Sequence, residues 1–184
     1  PGTVRPYGPG CGFPLAYGEG AGGAFPRSFD AQYEAVFRHN PVGQRCVRLV
    51  AGMLGSLTID AIEGDEAAAR LVQAGGLLEQ VAAQLMLGGN AYVRLIADAD
   101  DAPAELIALR PERTSVIVDE RGWPSGFLHK SGGRVERIML RDPLERRQVA
   151  HVRALNPSDD HYGLGCLDAA VPAATVHNKA ARWN

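Results

Sequence analysis

The chain has little cysteine, almost no lysine, few aromatics and no surplus of either charge. Its three cysteines, Cys11, Cys46 and Cys166, are odd in number, far apart, and without a CxxC pair or neighbouring histidines. This argues against a disulfide framework and against a zinc site, and predicts buried structural thiols in a reducing compartment. Nineteen basic and twenty-one acidic side chains leave a net charge of −2. That balance does not suit a protein that grips nucleic acid by wholesale phosphate neutralisation, so any DNA partner is touched lightly or locally. Only Lys130 and Lys179 are lysines, an arginine bias that fits a GC-rich genome. No apolar run approaches the roughly twenty residues needed to span a bilayer. The first residues also lack a basic segment followed by an apolar one, so the chain reads as soluble and unsecreted, with no membrane partner.

What is present is a chain of 184 residues, 46% hydrophobic and 22% charged, long enough for one cored domain and an appendage. Residues 1–28 carry eight glycines and five prolines, which predicts an irregular arm that Tyr7, Phe13, Tyr17 and Phe25 are able to dock. From Phe29 the spacing of Tyr33, Val36 and Phe37 is helical. Asn40-Pro41 then supplies an N-cap and a first-turn proline, so a second helix is expected from there to Gly55, with Val42, Cys46, Leu49, Val50 and Met53 as its apolar stripe. Leu57–Glu63 alternates like a strand, residues 66–74 read as a short helix, and residues 77–87 as a core helix stopped by Gly88-Gly89.

Four or five further short strands are expected among NAYVRLIA from 90, AELIALR from 104, TSVIVDE from 114, GFLHK from 126 and RQVAHVR from 147. Turn signals separate them and no helices intervene, which is the spacing of an antiparallel meander rather than a doubly wound parallel sheet. The fold class expected is therefore α+β, an antiparallel meander flanked by helices. A polar loop follows at 156–165, then an alanine-rich helix in which Pro172 marks a kink or the true start. Ending on Arg182-Trp183-Asn184 without a glycine stop, that helix is expected to continue in a longer chain.

Asp159-Asp160-His161 is the one dense cluster of titratable side chains, and it opens two readings. Two carboxylates beside an imidazole are able to act as acid, base or metal ligands, which would make the chain a small soluble hydrolase. Adjacent residues rarely converge on one metal, however, and Asn, Pro, Ser and Asp together are what a tight loop asks for, so a structural or intersubunit role is the better reading. His39, His129, His151 and His177 lack partners at metal-binding spacing, no serine occupies a GxSxG elbow, and the glycine run at 18–23 lacks the strand and Lys-Ser/Thr of a phosphate loop. Arg137, Arg141, Arg146 and Arg147 gather around a turn, but Asp142 and Glu145 interleave with them and predict a self-neutralised loop.

The order of motifs carries more than any one of them. NPVGQRCVRLVAGMLGSLTI at 40–59, LMLGGNAYVRL at 85–95, ELIALRPERTSVIVDERG at 105–122, QVAHVRALNPSDDHYGLGCLDAA at 148–170 and a helix ending HNKAARWN together resemble the amino-terminal half of HK97-like tailed-phage portal proteins. The resemblance covers about residues 38–184 and does not reach the Gly/Pro-rich arm. It implies a dodecameric ring at one capsid vertex, with no catalytic activity and no cofactor of its own. Its implied partners are the double-stranded DNA that passes through, the terminase large subunit, the major capsid protein and a head–tail adaptor. It implies a virion protein that assembles in host cytoplasm, and phage-derived gene transfer agents use the same portal. In these terms residues 29–156 are the wing domain and 157–184 a loop and the start of a stem helix at 163–184, with clip, remaining stem and crown lying elsewhere. Ring contacts are expected at Asp159, Asp160, His161 and Tyr162, and contact with DNA or a neighbouring stem at Lys179 and Arg182.

Overall fold

The computed structural model describes residues 3–5, 29–62, 64–143 and 145–183. The predicted irregular arm lies outside these except for Thr3–Arg5, which forms strand β1. Helix α1 (Phe29–Gln32) runs into a π-helical segment (Tyr33–Arg38), on which Tyr33 and Phe37 stack at 5.4 Å. Helices α2 (Pro41–Gly55), α3 (Glu66–Gln73) and α4 (Leu77–Gly88) follow. Strands β2 (Asn90–Ala97), β3 (Pro103–Leu109), β4 (Thr114–Val118), β5 (Pro124–Ser131), β6 (Arg134–Met139) and β7 (Val149–Arg153) precede the final helix α5 (Val171–Ala181).

The α+β class is as expected, but the meander is two antiparallel sheets. One has the order β1-β4-β5-β6 and the other β3-β2-β7. The chain leaves the smaller sheet after β3, builds the larger one, and returns at β7 to pair with β2 (Asn90 opposite Arg153, Arg94 opposite Val149). Tyr92, Leu109, Val116, Val118, Phe127, Ile138, Val149 and Tyr162 form the core between them. Arg94 of β2 and Glu136 of β6 tie the two sheets with a two-pronged ion pair at 2.7 Å. Strand β6 was not foreseen, because Arg134, Glu136 and Arg137 obscure an alternation in which only Ile138 is buried.

Of the strand expected at Leu57–Glu63, the described residues 57–62 form none, and Glu63 lies outside the described residues. The side chain of Gln73 takes the place of a strand partner, donating to the Leu57 carbonyl and accepting from the Ile59 amide, both at 3.0 Å. The outcome at α2 is of a different kind. Its boundaries and its Asn40 cap are as expected, the cap's Oδ1 accepting from the Gly43 amide at 2.8 Å. Its expected apolar stripe, however, faces outward: Val42 and Met53 are 62% and 63% exposed, and Leu49, Val50 and Cys46 are exposed too. The helix packs inward along the small row Gly43, Val47, Ala51 and Gly55, one residue per turn. A Cβ at Gly43 would strike the Val36 backbone, and one at Gly55 would stand 3.0 Å from Cβ of Glu79 on α4. The prediction of buried thiols fails with the stripe: Cys46 and Cys166 are both exposed, and Cys11 lies outside the described residues.

Candidate functional site

The polar loop after β7 is fixed from below by residues of the α4–β2 corner. Gly89 ends α4 in the left-handed conformation at φ 69°, as the Gly88-Gly89 stop requires. Its carbonyl accepts from the Ala154 amide at 2.8 Å. The next residue, Asn90, is wholly buried and fully satisfied. Its Nδ2 donates to the carbonyls of Gly88 (2.7 Å) and Gly163 (3.1 Å), and its Oδ1 accepts from the Gly163 amide (2.8 Å) and His151 Nε2 (3.0 Å). The loop lies this close because it is glycine there: a Cβ on Gly163 would collide with the Gly89 carbonyl, and one on Gly165 would come within 2.6 Å of the Leu87 carbonyl.

Tyr162 carries the brace into the other sheet, its hydroxyl accepting from the Val116 amide of β4 at 3.0 Å. Its carbonyl accepts from Asn156 Nδ2 at 2.8 Å. His151 stacks on Tyr92 at 4.2 Å and meets Phe127 edge-on at 5.9 Å, joining β7, β2 and β5. Burial among these rings pushes its pKa down to about 3, with Arg153 and then His161 adding to the shift, so the ring is neutral at ordinary pH. His129 is also lowered, chiefly by burial, and its Nδ1 lies 3.0 Å from the Thr114 hydroxyl.

A second brace joins the helices. Beyond capping α2, the buried Asn40 donates through Nδ2 to Asn178 Oδ1 at 3.0 Å and lies 3.3 Å from His177 Nδ1. Asn178 in turn donates to the Ala35 carbonyl at 2.7 Å. Buried Gln32 donates to Asp168, just before α5. Helix α5 is thus tied to the start of α2 and to the π-helical segment, and it begins at Val171 rather than 163, with Pro172 in its first turn.

Asp159 Oδ1 accepts from the backbone amides of His161 (2.7 Å) and Tyr162 (3.0 Å), closing the loop as an Asx turn. Asp160 is exposed and its carbonyl accepts from Arg153. His161 is buried, and its Nδ1 has no hydrogen-bond partner among the described residues. The three are adjacent but do not converge on a common point of reaction, and the described residues hold no group of three or more His, Cys, Asp or Glu able to bind a metal. Lys179 and Arg182 are exposed at the end of α5. Arg146 pairs with Asp101 (2.7 Å) and Asp142 (2.6 Å) and Arg141 lies 3.8 Å from Glu145, so two of the four arginines around the turn are neutralised locally. Among the described residues, no helix is long and apolar enough to cross a membrane.

The sequence reading placed Asn40 correctly and missed Asn90, the most connected side chain of the site. Its signal was available: asparagine disfavours strand interiors, yet Asn90 opens one directly after Gly-Gly.

Buried asparagines, a tyrosine and close-packed glycines that fix a loop and helix α5 give this region the character of a structural brace. The phage portal protein family model matches residues 41–184, and the chain belongs to that family. It is similar to a chain in the virion of a native gene transfer agent particle, at 33% identity and a TM-score of 0.73 over 89% of this chain and 46% of that one. A chain in the neck of a native gene transfer agent particle computed with C12 symmetry also gives 33% and 0.73, over 86% of this chain and 44% of that one. Uncharacterized proteins of Rickettsia bellii (strain RML369-C) and Rickettsia felis (strain ATCC VR-1525 / URRWXCal2) are each 25% identical, over 80% of this chain and 41% of the relative. The chain therefore spans less than half the length of these relatives.

Proposed function

We propose that this chain is the wing and the first stem turns of a portal subunit, one of a ring that stands at the capsid vertex of a phage or gene transfer agent particle. The likeness to the C12 neck chain, at 33% identity over most of this sequence, carries the reading. In it residues 29–156 are the wing, and the 157–170 loop hands the chain to α5 as the start of the stem. The ring is a structural conduit for DNA, and the near-neutral charge of the chain suits a wall along which DNA slides. The ring is also the attachment point for the head–tail connector; ATP hydrolysis belongs to the terminase large subunit, and the other partners are the major capsid protein and a head–tail adaptor. The protein assembles in host cytoplasm and ends in the virion.

The braces give the loop a role in this reading. Asp159, His161 and Tyr162 set its shape, exposed Asp160 is offered to a neighbouring subunit, and Lys179 and Arg182 reach toward DNA or the next stem. Negative-stain imaging of the full-length protein tests the reading, with rings expected. Monodisperse monomers under all conditions, with no ring at a capsid vertex, would overturn it.

A further inference from the structure

Helix α2 turns its small side chains inward and its large apolar ones outward, the reverse of what a monomer's surface helix does. With Val42, Leu49, Val50, Met53 and Leu54 all at least 40% exposed, the stripe amounts to an apolar patch on the order of 500 Å², at the upper end for an isolated protein. Arg45 and Arg48 flank it, both exposed, and α2 contains no acidic residue. The segment that follows has the opposite character. Ile62 is 85% exposed, and Asp60, Asp65 and Glu66 around it are exposed carboxylates. No ion pair among the described residues engages either set. Arg45 lies ten residues, about 15 Å of helix, before the end of α2 at Gly55, and the acidic segment starts five residues later at Asp60.

The two patches are therefore complementary in charge, and neither has an ion-pair partner among the described residues. A two-fold pair through α2 alone would set arginine against arginine, whereas head-to-tail contact between unlike patches propagates around an axis and closes as a ring when the rotation between copies divides a full turn. Resting on the portal reading above, we propose that the outward face of α2 receives Asp60, Ile62, Asp65 and Glu66 of the next copy. Ile62 seats in the apolar stripe, and Asp60, Asp65 and Glu66 face Arg45 and Arg48.

Charge reversal in the full-length protein tests this. R45E/R48E makes both patches acidic and D60R/D65R makes both basic, so each variant alone should lose rings by roughly ten-fold or more in electron micrographs, like charges being penalised across an interface. A 1:1 mixture of the two should recover rings by alternation, and the quadruple variant should recover them alone. Thermal melting of the separate variants should stay close to wild type. Rings from either double variant at the wild-type level overturn the proposal. Loss of melting temperature without recovery on mixing also overturns it, because it assigns the α2 face to another part of the same chain. If the wild-type protein itself forms no rings, the portal reading falls as well, whereas wild-type rings with indifferent variants remove only this interface.

Discussion

Acidification should weaken this fold chiefly through His151. His151 is neutral where it stacks on Tyr92 and donates from Nε2 to Asn90, with a folded-state pKa of about 3 against an ordinary value near 6.5. Between those values the unfolded chain binds a proton that the folded chain does not, so this contribution is fully present above pH 6.5 and is lost as pH falls toward 3. At 1.36 kcal/mol per pH unit, lowering the pH from 7.5 to 5 should cost about 2 kcal/mol, a large share of a typical domain's stability. Burial lowers His129 in the same direction, so the wild-type change alone does not isolate His151. His151→Gln does isolate it, since the amide can still donate to Asn90 Oδ1 and has no proton to gain. Glu34 and Glu136, held low first of all by hydrogen bonds from Arg38 and Arg94, titrate below this window. Urea unfolding followed by far-ultraviolet circular dichroism at the two pH values gives the comparison, provided each transition is two-state. Equal loss in wild type and His151→Gln, or a His151 titration near 6.5 by NMR, would refute the reasoning.

Glycine substitutions should divide by what their new Cβ meets. Gly163→Ala is blocked by the Gly89 carbonyl and the Ala154 backbone and should lower stability by about 3 kcal/mol, whereas Gly52→Ala, mid-helix with nothing within 4 Å, should raise it by about 0.5–1 kcal/mol; thermal melting separates the two signs. Tyr162→Phe leaves the Val116 amide without its hydroxyl acceptor and should cost about 1–3 kcal/mol in denaturant unfolding. Asn40→Ala removes the α2 cap and the tie to Asn178 and should cost about 1–2 kcal/mol, with faster hydrogen exchange along α5 as the local readout. Glu136→Gln, at a half-exposed ion pair, should change stability by less than about 1 kcal/mol and make it less sensitive to salt.

Much of this architecture is legible because it is local. Asn40-Pro41 starts α2, Gly88-Gly89 ends α4, and Asp98 and Asp119 close turns by accepting from amides two and four residues on. What is not legible is partnership across the chain. Nothing near Val149 says that β7 will pair with β2, fifty and more residues earlier, and so the two-sheet arrangement is hidden behind a pattern that reads as one meander. The same holds for Leu57–Glu63. Alternation there is strand-like, but no described strand lines up beside it, and Gln73 of α3 satisfies its backbone instead.

The α2 stripe is the sharpest of these cases, because the sequence pattern was read correctly and its meaning was not. Periodicity reports that a helix has an apolar face that must leave water; it does not report what covers that face. Inside the chain, α2 uses the row Gly43, Val47, Ala51 and Gly55, whose small side chains allow close approach to Val36 and to α4 at a cost in buried area. A helix built to stabilise this chain alone would place Leu49 and Met53 on the inner row. That they lie on the outer one, beside arginines and 51% and 63% exposed, is the arrangement expected of a subunit if part of its stability is deferred to assembly as proposed. Truncating them should therefore barely change the melting of the isolated subunit and should instead weaken association. Leu49→Ser/Met53→Ser, followed by sedimentation of the full-length protein across a concentration series, checks this. A large fall in monomer melting temperature with unchanged assembly would show that the outer row belongs to the chain's own core after all.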